Sequence, residues 1–122
     1  MDRRQRGSQA HRRGIDAEAA ACAALVQDGW TILARRLRTA AGELDLVAEK
    51  SGLLAIVEVK ARARLADAAY ALTLRQQRRL IAAADAVLAE HPDWGADGVR
   101  FDLMLVDQAG RVRRIADAFR AE

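Results

Sequence analysis

The chain alternates between stretches in which apolar residues recur every three to four positions and stretches in which they recur every second position. From Gly14 to Asp28 the period is helical: Ile15, Ala19, Cys22, Leu25 and Val26 form one stripe, and Gly29 follows where a left-handed helix terminus belongs. Trp30–Leu37, Gly42–Glu49 and Leu53–Arg62 then read as three strands, with Leu44, Leu46 and Ala48 on one face of the second. Residues 63–72 read as a loop. A second helix is expected near Thr73, because Thr73-x-x-Gln76 is a capping-box signature. Its core stripe is Leu80, Ile81, Ala84, Val87 and Leu88, and His91-Pro92 ends it, since proline cannot continue the hydrogen-bond ladder. Val99–Asp107 and Arg111–Ala118 read as two more strands around a turn at residues 107–110. The order α-β-β-β-α-β-β predicts an α/β domain, with a mixed central sheet of about five strands flanked by two main helices.

At 122 residues the chain is expected to be one domain (14–122) behind a flexible basic arm (1–13) that carries Arg3, Arg4, Arg6, Arg12 and Arg13. A single cysteine, Cys22, excludes an internal disulfide and fits a reducing compartment. No apolar run is long enough for a membrane span, and the N-terminus lacks the apolar stretch of a signal peptide, so the expectation is a cytoplasmic protein without a membrane partner. The net charge of +3 and pI near 9.7 are compatible with a polyanionic partner. Lys50 and Lys60 are the only lysines among 20 basic residues, so a lysine at position 60 stands out where this chain usually places arginine.

Residues 42–62, GELDLVAEKSGLLAIVEVKAR, hold the candidate chemistry. Glu43 and Asp45 share one face of the second strand; Glu58, Lys60 and Arg62 share one face of the third. A two-residue turn at Ser51-Gly52 places Asp45 opposite Glu58 and Glu43 opposite Lys60. A four-residue loop, 49–52, pairs Glu43 with Glu58 instead. Either even-length loop gathers all four side chains on one surface, whereas an odd loop or a bulge separates them. Three carboxylates against one lysine in otherwise apolar strands repel one another unless a cation joins them, and hard oxygen donors suit Mg²⁺ or Mn²⁺. Glu58-x-Lys60 alone is an ordinary strand charge pair. Asp45, twelve intervening residues upstream, makes the combination more specific. Glu18 falls inside the apolar stripe of the first helix, where a carboxylate needs a partner; the rim of the same site would supply one. Arg35, Arg36, Arg38, Arg62, Arg64, Arg75, Arg78 and Arg79 could hold phosphates, and Gln77 sits on the inward stripe of the second helix. Aromatic residues are only 4% of the chain, which disfavours base stacking and favours duplex or branched DNA over single strands.

Asp45 followed by Glu58-x-Lys60 resembles the PD-(D/E)xK restriction-endonuclease-like superfamily. Within it the chain resembles the YraN-type bacterial family, itself similar to archaeal Holliday-junction resolvases. The matching stretches are GIDAEAAA, GWTILARRLR, GELDLV, IVEVKAR, RQQRRLIAAA and RFDLMLV, spanning roughly residues 14–107. The resemblance implies a restriction-endonuclease-like core and a Mg²⁺- or Mn²⁺-dependent endonuclease. In that reading Asp45, Glu58 and the backbone carbonyl of Val59 ligate the metal. Lys60 positions or activates the attacking water, Glu18 matches the helix glutamate of resolvase-like members, and Glu43 belongs to a Gly-Glu-x-Asp signature. A homodimer is implied by the same analogy. The superfamily proline before the aspartate is replaced by Leu44, and the resemblance implies an Asn where Arg36 stands and a basic residue where Gln76 stands, departures that touch substrate contacts more than the metal site. The competing expectation is a non-catalytic nucleic-acid-binding protein that keeps the same fold.

Overall fold

The computed structural model describes residues 17–62 and 72–121. The proposed basic arm, the start of the first helix, most of the 63–72 loop and Arg64 lie outside the described residues. Helix α1 covers 17–27 and is followed by strands β1 (Thr31–Thr39), β2 (Gly42–Lys50) and β3 (Leu53–Ala61), helix α2 (Leu74–Glu90), then β4 (Val99–Val106) and β5 (Val112–Phe119). The five strands form one sheet in the order β1-β2-β3-β4-β5. Only the β3–β4 pair is parallel, because α2 supplies the crossover that a parallel pair requires. The expected mixed sheet with two helices is therefore the observed one.

The sheet is sandwiched between the helices. Beneath α2, Leu80, Ala83, Ala84 and Val87 pack on Val47, Leu54, Ile56 and Phe101. On the opposite face Ala21 and Leu25 of α1 pack on Leu46, Ala48, Ala55, Val57 and Met104. β3 contributes alternate residues to the two clusters and is buried on both faces, which explains its near-continuous apolar sequence. No helix among the described residues is long and apolar enough to cross a membrane.

The helix termini follow the sequence signals. Thr73 Oγ1 accepts the Gln76 N–H and the Gln76 side chain accepts the Thr73 N–H, closing the capping box. Gly29, at φ +89°, ends α1, with Trp30 N–H donating to the Leu25 carbonyl and Gly29 N–H to that of Val26. The stripe of α1 needs correction. Ala17, Glu18, Ala21 and Leu25 are buried, whereas Ala19 is exposed and Val26 is 58% exposed. Alanines on every side of this helix blur its phase, and one exposed valine displaced the predicted stripe.

A second correction concerns β2. Leu46 and Ala48 face α1 as expected, but Leu44 packs beneath α2 with Val47. Alternation is broken between residues 44 and 46, beside Arg36 of β1, which has φ +50°. The β2–β3 ladder starts at Lys50–Leu53, confirming the two-residue turn, and ends at Leu46–Val57. The pairs Asp45–Glu58 and Glu43–Lys60 that the turn implies are not formed: β2 leaves β3 one residue before them.

Candidate functional site

The site is built where β2 parts from β3. With the ladder ended, Val59 loses the carbonyl partner that a continued β2 would offer. The Asp45 carboxylate takes that place: Oδ2 accepts the Val59 N–H at 2.8 Å. Asp45 thus reaches β3 beside Glu58, whose carboxyl feels the Asp45 charge. The sequence expectation gave Val59 a role through its carbonyl; the contact observed here is through its N–H.

Glu58 is buried at 7% exposure, with two cations near it. Lys60 Nζ lies 3.5 Å from Oε1, and Nη2 of Arg79, from α2, lies 3.8 Å from Oε2. The second distance is too long for a hydrogen bond, and buried Oε2 has no hydrogen-bond partner among the described residues. Burial pushes the Glu58 carboxyl above its ordinary range and the Asp45 charge adds to this; Lys60 and Arg79 offset it only in part. Asp45 is raised too, first by burial and then by the Glu18 and Glu43 carboxylates, against the Val59 N–H and Lys60. Two neighbouring acids that resist ionisation together form a place where added positive charge is favoured.

Glu18 is buried at 8% exposure on α1 and takes two guanidiniums. Arg35 Nε donates to Oε1 at 3.3 Å and Arg36 Nε to Oε2 at 3.0 Å. Glu43 is exposed, 3.9 Å from the largely solvated Arg38, and its backbone carbonyl accepts from Arg79 Nη1 at 3.0 Å. Arg79 can cross the start of β2 because residue 42 is glycine: a Cβ there would meet Arg79 Nη1 at 3.1 Å and Cδ at 3.3 Å.

The structure therefore brings together Glu18, Asp45, Glu58, Lys60, Arg35, Arg36 and Arg79. Arg62 closes β3, bonding the Ala61 carbonyl, and Arg75 and Arg78 are exposed on α2. Gln77 makes a long contact, 3.4 Å, to the Leu72 carbonyl. Among the described residues no three carboxylate, histidine or cysteine side chains gather as one metal-binding group. The donors at hand are the Asp45 and Glu58 oxygens, with Glu18 and Glu43 behind them. Two carboxylates suffice for Mg²⁺, which keeps several waters and is completed by substrate phosphate.

Sequence reasoning missed a second charged cluster, away from the site. Asp102, fully buried on β4, accepts from Nε and Nη2 of Arg100, each at 2.8 Å, and from the Asp117 N–H at 2.9 Å. Arg114 Nε stands 3.7 Å from it. Arg100 and Arg114 each lie 5.2 Å from the centre of the Trp30 ring, tying the end of α1 to β4 and β5. The signal was present: Arg100-x-Asp102 interrupts an apolar strand with the same spacing as Glu58-x-Lys60.

A family model described as "Uncharacterised protein family UPF0102" matches residues 17–106. A UPF0102 protein of Granulibacter bethesdensis is 62% identical over 117 residues, covering 96% of this chain and 74% of that protein. A UPF0102 protein of Bradyrhizobium is 54% identical over 112 residues (92% and 79%), and one of Azorhizobium caulinodans 50% identical over 119 residues (98% and 91%). The matched segment takes in α1, the β1–β3 sheet edge, α2 and β4, and with them every residue of the site; the chain belongs to the UPF0102 family.

Proposed function

We propose that the protein is a metal-dependent endonuclease of the PD-(D/E)xK type, hydrolysing phosphodiester bonds in duplex or branched DNA. The observation that carries this reading is the buried Glu58 carboxylate, with Oε2 unbonded, beside Asp45 and Lys60 at the end of a central strand. A carboxylate in that position has a desolvation cost and no full compensation among the described residues. The resemblance of Asp45 and Glu58-x-Lys60 to the superfamily motif supports the same assignment.

Asp45 and Glu58 would hold Mg²⁺ or Mn²⁺, which when bound supplies a Lewis acid for the phosphoryl oxygens and lowers the pKa of water. The protein does the rest. Lys60, mostly buried and 3.5 Å from Glu58, offers an ammonium to the attacking water or the scissile phosphate. Arg79 balances Glu58 from the α2 side and fixes the start of β2 through the Glu43 carbonyl. The exposed Arg75 and Arg78 provide sequence-independent backbone contacts.

One observation favours a second reading, nucleic-acid binding without turnover: Asp45 already has a structural task at Val59. Incubating the protein with linear, supercoiled and four-way DNA in Mg²⁺ or Mn²⁺ separates the two. Nuclease activity requires cleavage by the wild type that is lost in Glu58→Ala and Lys60→Ala. Binding without cleavage selects the second reading, and equal activity in all three proteins refutes the assignment of these residues.

A further inference from the structure

Successive side chains of a regular strand point to opposite faces, so neighbouring arginines seldom reach one acceptor. Arg35 and Arg36 do: both Nε groups bond Glu18, one to each oxygen. The left-handed φ of +50° at Arg36 breaks the alternation that would otherwise send the two side chains apart. A buried carboxylate needs one counter-charge. Here it has two, and the second comes with a backbone conformation that is unfavourable for an arginine. Holding one acid in place does not require that arrangement.

The outer ends of the two side chains supply a reason. Each arginine binds Glu18 through Nε, and the η nitrogens have no hydrogen bond among the described residues. The side chains are 50% and 49% exposed against 10% for Glu18, so a buried carboxylate lies beneath two half-exposed arginine side chains. Two guanidiniums on one carboxylate leave a net positive charge directed outward. The group adjoins the proposed active site, since Arg36 lies across from Asp45 on the β1–β2 ladder, between the pairs Arg35–Leu46 and Leu37–Leu44.

We propose that Glu18 is a positioning residue that holds Arg35 and Arg36 side by side as a two-guanidinium clamp for one backbone phosphate of the nucleic acid, next to the scissile bond. The inference rests on nucleic acid being the substrate, as proposed above. Guanidinium forks match phosphate oxygens in bidentate geometry, and a pre-oriented pair loses less side-chain freedom on binding than two free arginines.

The test is equilibrium binding of a short fluorescent DNA duplex in EDTA, as a function of salt, for wild type, Arg35→Gln, Arg36→Gly and Glu18→Gln. Glycine suits the backbone at position 36, so that variant removes the guanidinium without unfolding the strand, which circular dichroism verifies. Binding weakened about tenfold in each arginine variant, with the slope of log K against log salt smaller by about one, supports the clamp. Glu18→Gln is expected to weaken DNA binding severalfold while Mn²⁺ affinity, measured by calorimetry without DNA, stays at the wild-type value. Unchanged affinity and slope in Arg36→Gly overturn the clamp even if the wild type cleaves DNA. Loss of Mn²⁺ affinity in Glu18→Gln overturns the positioning role and makes Glu18 a metal ligand. The expected slopes in a wild type that never cleaves DNA leave the clamp standing and remove the nuclease reading alone.

Discussion

Replacing Glu58 by glutamine should make the metal-free protein more stable while abolishing its activity. A buried acceptor without a partner costs about 1–3 kcal/mol, and Glu58 Oε2 is such an atom, with the Asp45 charge adding to the cost. Against this, glutamine forfeits the attraction of Lys60 at 3.5 Å and Arg79 at 3.8 Å. Burial and Asp45 act against the charge more than Lys60 and Arg79 support it, so a net gain is expected at the low end of the unbonded acceptor's cost, about 1 kcal/mol. With an unfolding entropy of about 2.1 cal/mol/K per residue, that is a rise in Tm of about 4 °C for a chain of this length. The sign reverses with metal. A cation present at a hundredfold excess over its Kd stabilises the wild type by about 2.7 kcal/mol, or about 10 °C, and should do little for Glu58→Gln. The pH dependence follows from the same shift. With the folded pKa above the unfolded value, the native state holds its proton more tightly, so wild-type stability is greatest below the unfolded pKa and falls as pH rises through the folded one. The advantage of Glu58→Gln should therefore vanish in acid and grow as pH rises. Differential scanning fluorimetry with EDTA, Mg²⁺ and Mn²⁺, repeated at acid and neutral pH, reads all of this. Equal metal-induced shifts in the two proteins, or a variant less stable than wild type in EDTA at neutral pH, would refute the reasoning.

Lys60→Met keeps the length and most of the packing of the side chain, and should lower cleavage by about 10²–10⁴-fold with circular dichroism unchanged; cleavage at the wild-type rate would remove Lys60 from the chemistry. Asp102→Ala leaves Arg100 and Arg114 without their shared carboxylate and the Asp117 N–H without an acceptor, and should cost roughly 3–5 kcal/mol in urea denaturation. Gly42→Ala places a Cβ at φ +136° against Arg79. It should lose about 1–2 kcal/mol of stability and, by moving Arg79 off Glu58, reduce cleavage, as melting curves and nicking assays would show.

The strands and α2 were legible in the sequence because their signals are local. β3 is a run of Val, Ile and Leu between polar turns, and Thr73 and Gln76 cap α2 through side chains three residues apart. The register of β2 on β3 was legible for a similar reason: it is fixed by the two-residue turn at Ser51-Gly52, although the Asp45–Glu58 pair it implies is not formed. What could not be read is where that register stops. The break depends on Arg36 adopting a left-handed conformation one strand away and on Asp45 taking over the Val59 N–H, and neither event has a periodicity. Leu44 was misplaced for the same cause. The place of Arg79 beside Glu58 could not be read, because only the packing of α2 over β2 brings it there.

The bond between Asp45 and the Val59 N–H ties the fate of an acidic residue to the integrity of the backbone. A lineage that abandoned hydrolysis would still be held to a hydrogen-bond acceptor at position 45, because losing it strands an amide in the sheet. Lys60 carries no such obligation to the backbone, since its contact with Glu58 is between side chains. Drift away from catalysis would therefore be written first at position 60, while position 45 went on resembling an active enzyme long after the chemistry had gone.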